Sequence, residues 1–438
     1  MRQQPHARSR SGSWEQRKRL TAPSIGLRGA ANQWRAAPTR DSRTSSRRFR
    51  GSSAARASTQ SSSSTHASSV RSRRASCERS EPQRNERRAL SRWPACFVEE
   101  IASIVEKAVP HVVICVPPLE ALQTAFTGEG KEKWPAQLHD VLKARAMAHP
   151  VPMQYVLPST YDPSKSRKQN AITKRQGQPQ DEATRAWNLH TALYYKAGGY
   201  PWALVRDPGD LQTCFIGISF YWDGQEKLAT SLAQVFNERG EGVIVRGGAA
   251  KLSAEDKQPY LVRDDAENLL REALAQYRKE HRHLPARVVI HKTSRFTDSE
   301  KDGFEAAADA DGVDMIELVA VGRSATRFFT PRAAPPFRGT HVVLDERSQI
   351  LYTTGSVPFY ETYPGPYVPQ PLGITLESSQ LAARRHGLEI LALTKLDWNH
   401  SRLEGHDPIT TLAARSIGSI LRHVGPNDPL GNRYAFYM

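Results

Sequence analysis

His139 and Lys143 stand four residues apart in a stretch, 134–148, whose pattern predicts a helix, so both side chains project from one helix face. Gln154 lies between Met153 and Tyr155 at the start of a strand-like run. Lys196 closes the next predicted helix, just before Gly198-Gly199. Cations and an amide of this kind bind an oxyanion such as a phosphate, provided they converge in one pocket. Singly they say little, since a lone surface lysine or helix histidine is ordinary; Gln154 in its strand is the least ordinary of the four. Zinc chemistry is not indicated. Cys77, Cys96, Cys115 and Cys214 lie far apart with no CxxC pair and no nearby histidine. Cys115, in an apolar run, reads as a buried thiol. No disulfide framework is implied, which favours the cytoplasm, and no apolar run approaches the ~18 residues that would indicate a membrane span.

These residues need a scaffold, and the periodicity supplies one. A helix is expected over 97–109, a short strand over 111–116, a helix over 134–148, a strand over 153–157 and a helix over 182–195. Strands follow at 213–222, 229–236 and 242–246, then an amphipathic helix at 264–282 and a buried strand at 286–291. Further strands at 315–321, 341–344 and 349–353 and a helix from about Pro408 to Val424 complete the pattern. This alternation predicts an α/β fold. Pattern alone does not choose among α/β folds.

The net charge of +16 belongs to one end. Residues 1–94 hold 22 basic residues against five acids, whereas 95–438 hold 39 against 40. An Arg/Ser-rich segment with so few aliphatic residues cannot offset its ordering entropy, so 1–94 is expected to be a disordered basic tail. The high pI is therefore no evidence that the folded part is a basic nucleic-acid binder.

The second half carries specific strings: Ile216-Gly217-Ile218-Ser219-Phe220-Tyr221, Ala233-Gln234-Val235-Phe236, and Val289-Ile290-His291-Lys292-Thr293-Ser294-Arg295-Phe296. Beyond them come Arg338-Gly339-Thr340, Tyr363-Pro364-Gly365-Pro366-Tyr367-Val368-Pro369 and Leu393-Thr394-Lys395-Leu396-Asp397-Trp398-Asn399. The last are Asp407-Pro408-Ile409-Thr410 and Tyr434-Ala435-Phe436-Tyr437-Met438. In this order, over about 94–438, they resemble the MID and PIWI domains of prokaryotic Argonautes, most like the branch with an inactive nuclease site. The resemblance implies a Rossmann-like MID domain (95–205) that binds the guide 5′ end, followed by an RNase H-like PIWI domain (206–438).

Within that resemblance, His139, Lys143, Gln154 and Lys196 match the family's guide 5′-phosphate quartet, with His139 where Tyr or Arg often stands. A divalent cation, Mg²⁺ or Mn²⁺, is implied at that phosphate, held by Gln154, the C-terminal carboxylate of Met438 and the phosphate itself. Cleavage in this fold needs about four acidic or histidine ligands around two metal ions. The corresponding positions fall on Ser219, Thr293 and Arg415, and no acid stands near Gly247-Gly248, where a mobile glutamate is expected. A hydroxyl or a cation does not replace a carboxylate at a metal pair, so the nuclease site reads as lost. Asp223 and Glu300 are nearby in sequence and read as solvated loop charges.

Three functions follow from the resemblance. One is a guide-loaded protein that captures complementary DNA or RNA without cutting it, in defence against plasmids or phages. A second is a short Argonaute that switches on an effector nuclease, TIR or SIR2 partner. The third is a residual nuclease using acids such as Asp223. Arg327, Arg332 and Arg338 are candidate guide-phosphate contacts or solvated turn residues. Tyr360, Tyr363 and Tyr367 are expected to pack an irregular loop, and Trp398-Asn399 to be structural.

Overall fold

The computed structural model describes residues 34–35, 86–126, 134–173, 180–205, 209–223, 227–236, 241–329, 335–357, 368–399, 405–425 and 428–438. The expected disordered tail lies almost wholly outside them. One departure is clear at its end. Helix α1 spans Glu86–Lys107 and carries Pro94 in its interior, so helical order begins before the expected start at Ala95. A single proline removes one backbone donor without ending a helix whose flanks favour it.

The first unit is built around two short parallel strands. After α1 come β1 (Val113–Cys115), α2 (Leu119–Phe126), α3 (Trp134–Ala146), β2 (Met153–Tyr155), α4 (Ser166–Thr173) and α5 (Glu182–Lys196). Val113 pairs with Met153 and Cys115 with Tyr155. Parallel neighbours need a long crossover, which α2 and α3 provide. Ile101, Val113, Cys115, Leu142, Ala146, Val151 and Met153 close a core between α1, α3 and the strands. Asp181 caps α5 by accepting from the Thr184 N–H at 2.9 Å. Gln154 and Lys196, on β2 and at the end of α5, are thereby fixed by two packed elements.

The second unit is an eight-stranded sheet. Its elements are β3 (Thr213–Trp222), β4 (Leu228–Phe236), β5 (Glu241–Ala249), α6 (Arg263–His281), β6 (Arg287–Lys292), α7 (Asp298–Asp311), β7 (Met315–Arg323), β8 (His341–Val343), β9 (Ser348–Leu351), β10 (Leu372–Ser378), α8 (Ala383–Leu393) and α9 (Ile409–Leu421). The order is β8-β9-β10-β7-β6-β3-β4-β5. Strands β3, β4 and β5 form an antiparallel meander, and β6 and β7 join in parallel on the other side of β3. This is the RNase H-like arrangement. The central strand β6 is buried on both faces, as its apolar run requires. Its polar members are paired: Arg287 with Glu317, His291 with Thr410, and Lys292 with Glu300.

Two cores lie on opposite faces of the sheet. Ile216, Ile218, Val288 and Ile290 face α6 and α7, whereas Phe215, Val289, Val319 and Val321 face α9. The second core continues into the first unit through Ala144, Met147, Ala192 and Tyr195, and includes Trp398, Tyr434, Tyr437 and Met438. One apolar cluster thus joins both units and carries the chain's last residues into the first. Gly217 permits the closest approach: a Cβ there would overlap the Thr410 carbonyl, so α9 could not lie on β3. Trp398 is structural as expected, buried with its ring 4.4 Å from that of Tyr195.

Two expectations need correction. Glu300 is no solvated loop charge. It occupies the third position of α7, forms a capping box with Thr297, and is fully buried against Lys292 Nζ at 2.6 Å. Cys115 and Cys214 are free and buried, but Cys96 is disulfide-bonded. No helix among the described residues is long and apolar enough to cross a membrane.

Candidate functional site: a buried lysine pair at the junction

Of the four residues that the resemblance marks, Lys143 and Lys196 meet on Met438, Gln154 joins them through Lys196, and His139 lines a cavity with Met438. Lys196 Nζ donates to Gln154 Oε1 at 2.6 Å and to Met438 O at 2.8 Å. Lys143 Nζ donates to Tyr437 O at 2.9 Å and also to Met438 O. The last residues reach this point because Asn432 and Arg433 pair along the β5 edge, where the Ile244 N–H donates to Asn432 O at 2.7 Å. A short 3-10 turn, Tyr434–Phe436, then directs Met438 between α3 and α5.

His139 shares the α3 face with Lys143, and its Nδ1 lies 2.7 Å from Asp140 Oδ1. Its ring meets Tyr155 edge-on at 5.3 Å. His139, Asp140, Lys143, Gln154 and Met438 line one cavity of 330 Å³ together with Asn399, Ser416, Ser419, Ile420, Tyr434 and Tyr437, and Lys196 borders it through Gln154 and Met438. No spacing along the chain marks Asn399, Ser416 or Ser419 as part of this lining. Ser416 and Ser419 lie on α9, and only the packing of α9 against α3 brings them here. Asp140 was visible beside His139, but nothing in its spacing marked it.

The electrostatics are set by burial of two neighbouring lysines. Lys143 and Lys196 are only 3 % and 2 % exposed. Burial pushes the Lys143 ammonium down from 10.5 to about 7, with Asp140 acting in the opposite sense. Lys196 is pushed well below its ordinary value by burial and then by the like charge of Lys143. His139 is lowered by burial, which outweighs its bond to Asp140. Burial of this kind disfavours the charged form of both lysines. Gln154 Oε1 and Met438 O are hard oxygen donors of the kind Mg²⁺ and Mn²⁺ take, and both lie within reach of a single Nζ. These two oxygens would hold such an ion, which would supply charge neutralisation beside a bound phosphate.

Of the expected nuclease-ligand positions, two adjoin on neighbouring strands. The β3–β6 register ends at Ile218–Lys292, which sets Ser219 beside Thr293. Arg415, exposed on α9, donates to Asp407 Oδ2 at 3.2 Å. Gly247 and Gly248 lie within β5. Asp223 Oδ1 accepts from the Lys227 N–H at 2.8 Å in the β3–β4 connection. Among the described residues, no three His, Cys, Asp or Glu side chains cluster so as to hold a metal. Of the other candidates, Arg327 is exposed and donates to the Ser324 and Thr326 carbonyls. Arg338 reaches Thr394 Oγ1 at 2.9 Å beside the end of α8. Arg332, Tyr360, Tyr363 and Tyr367 lie outside the described residues.

No protein-family model matches the chain, and no curated protein matches it. Solved structures do. The chain is similar to Clostridium butyricum Argonaute bound to a guide DNA (5′ deoxycytidine) and a 19-mer target DNA, with 16 % identity and a TM-score of 0.54 over 79 % of this chain. It is also similar to Aa-Ago with externally bound siRNA, with 17 % identity and a TM-score of 0.49, covering 78 % of this chain and 44 % of that one. The chain spans 42 % of the length of the C. butyricum protein. Its fold is the Argonaute-like MID–PIWI fold, a Rossmann-like unit followed by an RNase H-like one.

Proposed function

We propose that this chain anchors the 5′-phosphate of a short guide RNA or DNA among His139, Lys143, Gln154 and Lys196 and captures a complementary strand without cutting it. The observation that carries this reading is the pair of buried ammonium groups meeting on one oxygen, Met438 O, beside a cavity. A dianionic phosphate in that cavity offsets both the desolvation of the lysines and their mutual repulsion. The C. butyricum Argonaute, whose fold this chain shares, is bound to a guide DNA and a target DNA, which supports nucleic acid in both roles. A divalent ion would be held by Gln154 Oε1 and the Met438 carboxylate, where it would neutralise phosphate charge.

The absence of cleavage is supported by Ser219, Thr293 and Arg415 at the positions where metal ligands are needed, since a guanidinium repels a dication. On this reading the protein serves in defence against plasmids or phages, either by occupying invading nucleic acid or by engaging a separate effector such as a nuclease, TIR or SIR2 enzyme. The test compares guides that differ only at the 5′ end. A preference of about tenfold or more for 5′-phosphate over 5′-hydroxyl is expected from one or two charge-assisted bonds. Equal affinity refutes the anchoring. For the second part, loaded protein is incubated with complementary target and Mn²⁺. A guide-dependent cut abolished by Asp223→Ala would overturn the non-cleaving reading.

A further inference from the structure

The anion cavity contains an acid that phosphate binding alone does not explain. Asp140 lines it together with Lys143, Gln154 and Met438, and its Oδ1 lies 2.7 Å from His139 Nδ1. Its charge is felt at the lysines, since it raises the Lys143 ammonium against the effect of burial. In a pocket that served only to attract phosphate, a carboxylate here opposes the attraction. His139 needs an oxygen acceptor for its Nδ1–H, and an amide or a hydroxyl would supply one without the charge.

Exposure orders these groups along the cavity. The His139 side chain is 35 % exposed and that of Asp140 13 %, while Lys143 and Lys196 are almost fully buried. Solvent therefore enters on the His139 side, and the two lysines with Met438 form the deep end. Lys143 lies three residues beyond Asp140 on α3, a rise of about 4–5 Å. Two ammonium groups against one carboxylate leave a positive excess at the deep end, which suits one phosphate. Whatever is attached to that phosphate runs back past Asp140. In a 5′-monophosphate end it is a neutral sugar; in a 5′-di- or triphosphate end it is a second anion. Size does not make the distinction, because 330 Å³ is room for about ten waters at about 30 Å³ each. Charge does.

We propose that Asp140 is a specificity-determining residue that restricts this pocket to 5′-monophosphate ends and rejects 5′-di- and triphosphate ends by charge. The proposal deepens the 5′-phosphate reading above and rests on it. His139 acts as a positioning residue that holds the Asp140 carboxylate in place. A second phosphate at this level would bring like charges within about 5 Å in a partly buried setting, where screening by salt is weak. Guides must then come from a step that leaves a single terminal phosphate, such as hydrolytic cleavage of a longer strand, and not directly from the triphosphate start of a new transcript.

The test uses the full chain and oligonucleotides of one sequence that carry a 5′-hydroxyl, monophosphate, diphosphate or triphosphate, at a fixed excess of Mg²⁺. The unmutated chain should bind the monophosphate about tenfold or more tighter than the triphosphate. D140N removes the charge and keeps an acceptor for His139, so the triphosphate should gain on the monophosphate by about tenfold. D140A removes the acceptor as well and should shift the ratio as far. Denaturant unfolding of both variants checks that they fold. The proposal is overturned if the unmutated chain binds the two ends equally or if D140N leaves their ratio unchanged. It is also overturned if D140A alone shifts the ratio, because Asp140 would then act only by holding His139. Selectivity for monophosphate over hydroxyl is read from the same series: retained selectivity without rejection of the triphosphate sinks this proposal alone, whereas lost selectivity sinks the anchoring reading.

Discussion

Replacing Lys143 by methionine should make the empty protein more stable and the guide pocket weaker. Lys143 is fully buried and its ammonium is lowered from 10.5 to about 7. The unfolded chain therefore holds a proton that the folded chain resists, and near pH 7 this costs the fold about 4 kcal/mol. Methionine has a similar length and removes that cost. One acceptor is left without its donor, since Tyr437 O is bonded by Lys143 whereas Met438 O keeps Lys196. An orphaned buried carbonyl costs about 1–3 kcal/mol, so a net gain of about 1–3 kcal/mol remains. Guide binding moves the other way. Loss of one charge-assisted contact to the 5′-phosphate is worth about 1.5–3 kcal/mol, or roughly ten- to a hundredfold in affinity. The pH sign is fixed as well. Lys143 has a depressed folded pKa, so its destabilising effect is full below about pH 7, shrinks as pH rises, and is gone near 10.5, where both states are neutral. Denaturant unfolding of both proteins from pH 7 to pH 10 should show the variant's advantage shrinking as pH rises and reversing by about pH 10, where the orphaned Tyr437 carbonyl outweighs what is left of the lysine's cost. A variant less stable at pH 7 with undiminished 5′-phosphate selectivity would refute the reasoning, as would an advantage that grows with pH.

Binding of a 5′-phosphate should take up protons between pH 7 and 9, because it recharges lysines that burial has depressed. Calorimetry in two buffers of different ionisation heat measures the uptake, and affinity should fall up to about tenfold per pH unit for each proton taken up. Glu300→Ala leaves Lys292 buried without its partner and the Leu261 N–H without its acceptor. The expected loss is about 3–5 kcal/mol of stability by denaturant unfolding, whereas a solvated loop residue would show almost none. Deleting residues 1–85 removes most of the positive excess and should reduce salt-sensitive, non-specific binding while leaving 5′-phosphate selectivity intact. Cutting at residue 94 would also remove the first turns of α1 and confound the comparison.

What could be read from the sequence followed local periodicity. Helices α3 and α5 and strand β2 each have a clear pattern, so His139, Lys143, Gln154 and Lys196 were found on the right elements. The β3–β7 strands and α6 were found in the same way. Helix α7 was missed because Asp298–Asp311 is acidic and alanine-rich, with Phe304 its only large apolar residue. Its signal was the Thr297–Glu300 capping box, which marks a helix start without any hydrophobic stripe. That omission also misplaced Glu300, since burial at a helix's third position depends on what α7 packs against. The far wall of the anion cavity was not legible at all. Ser416, Ser419 and Asn399 reach it only through tertiary packing, and no spacing along the chain records the distance between α9 and α3.

The charge distribution sharpens the case for a ligand. Residues 95–438 are almost neutral, so long-range attraction to a polyanion cannot come from their net charge. Two ammonium groups sharing the Met438 carboxylate set two positive charges against one negative charge in a desolvated setting, which leaves one of them uncompensated. A fold selected only for stability would place apolar side chains at these positions, as Leu142 and Ala146 already do one turn or less away on the same helix. Maintaining both lysines there is costly unless a second anion enters and balances the remaining positive charge. The nearby cavity is large enough for a phosphate and is lined by further donors in His139, Ser416 and Ser419.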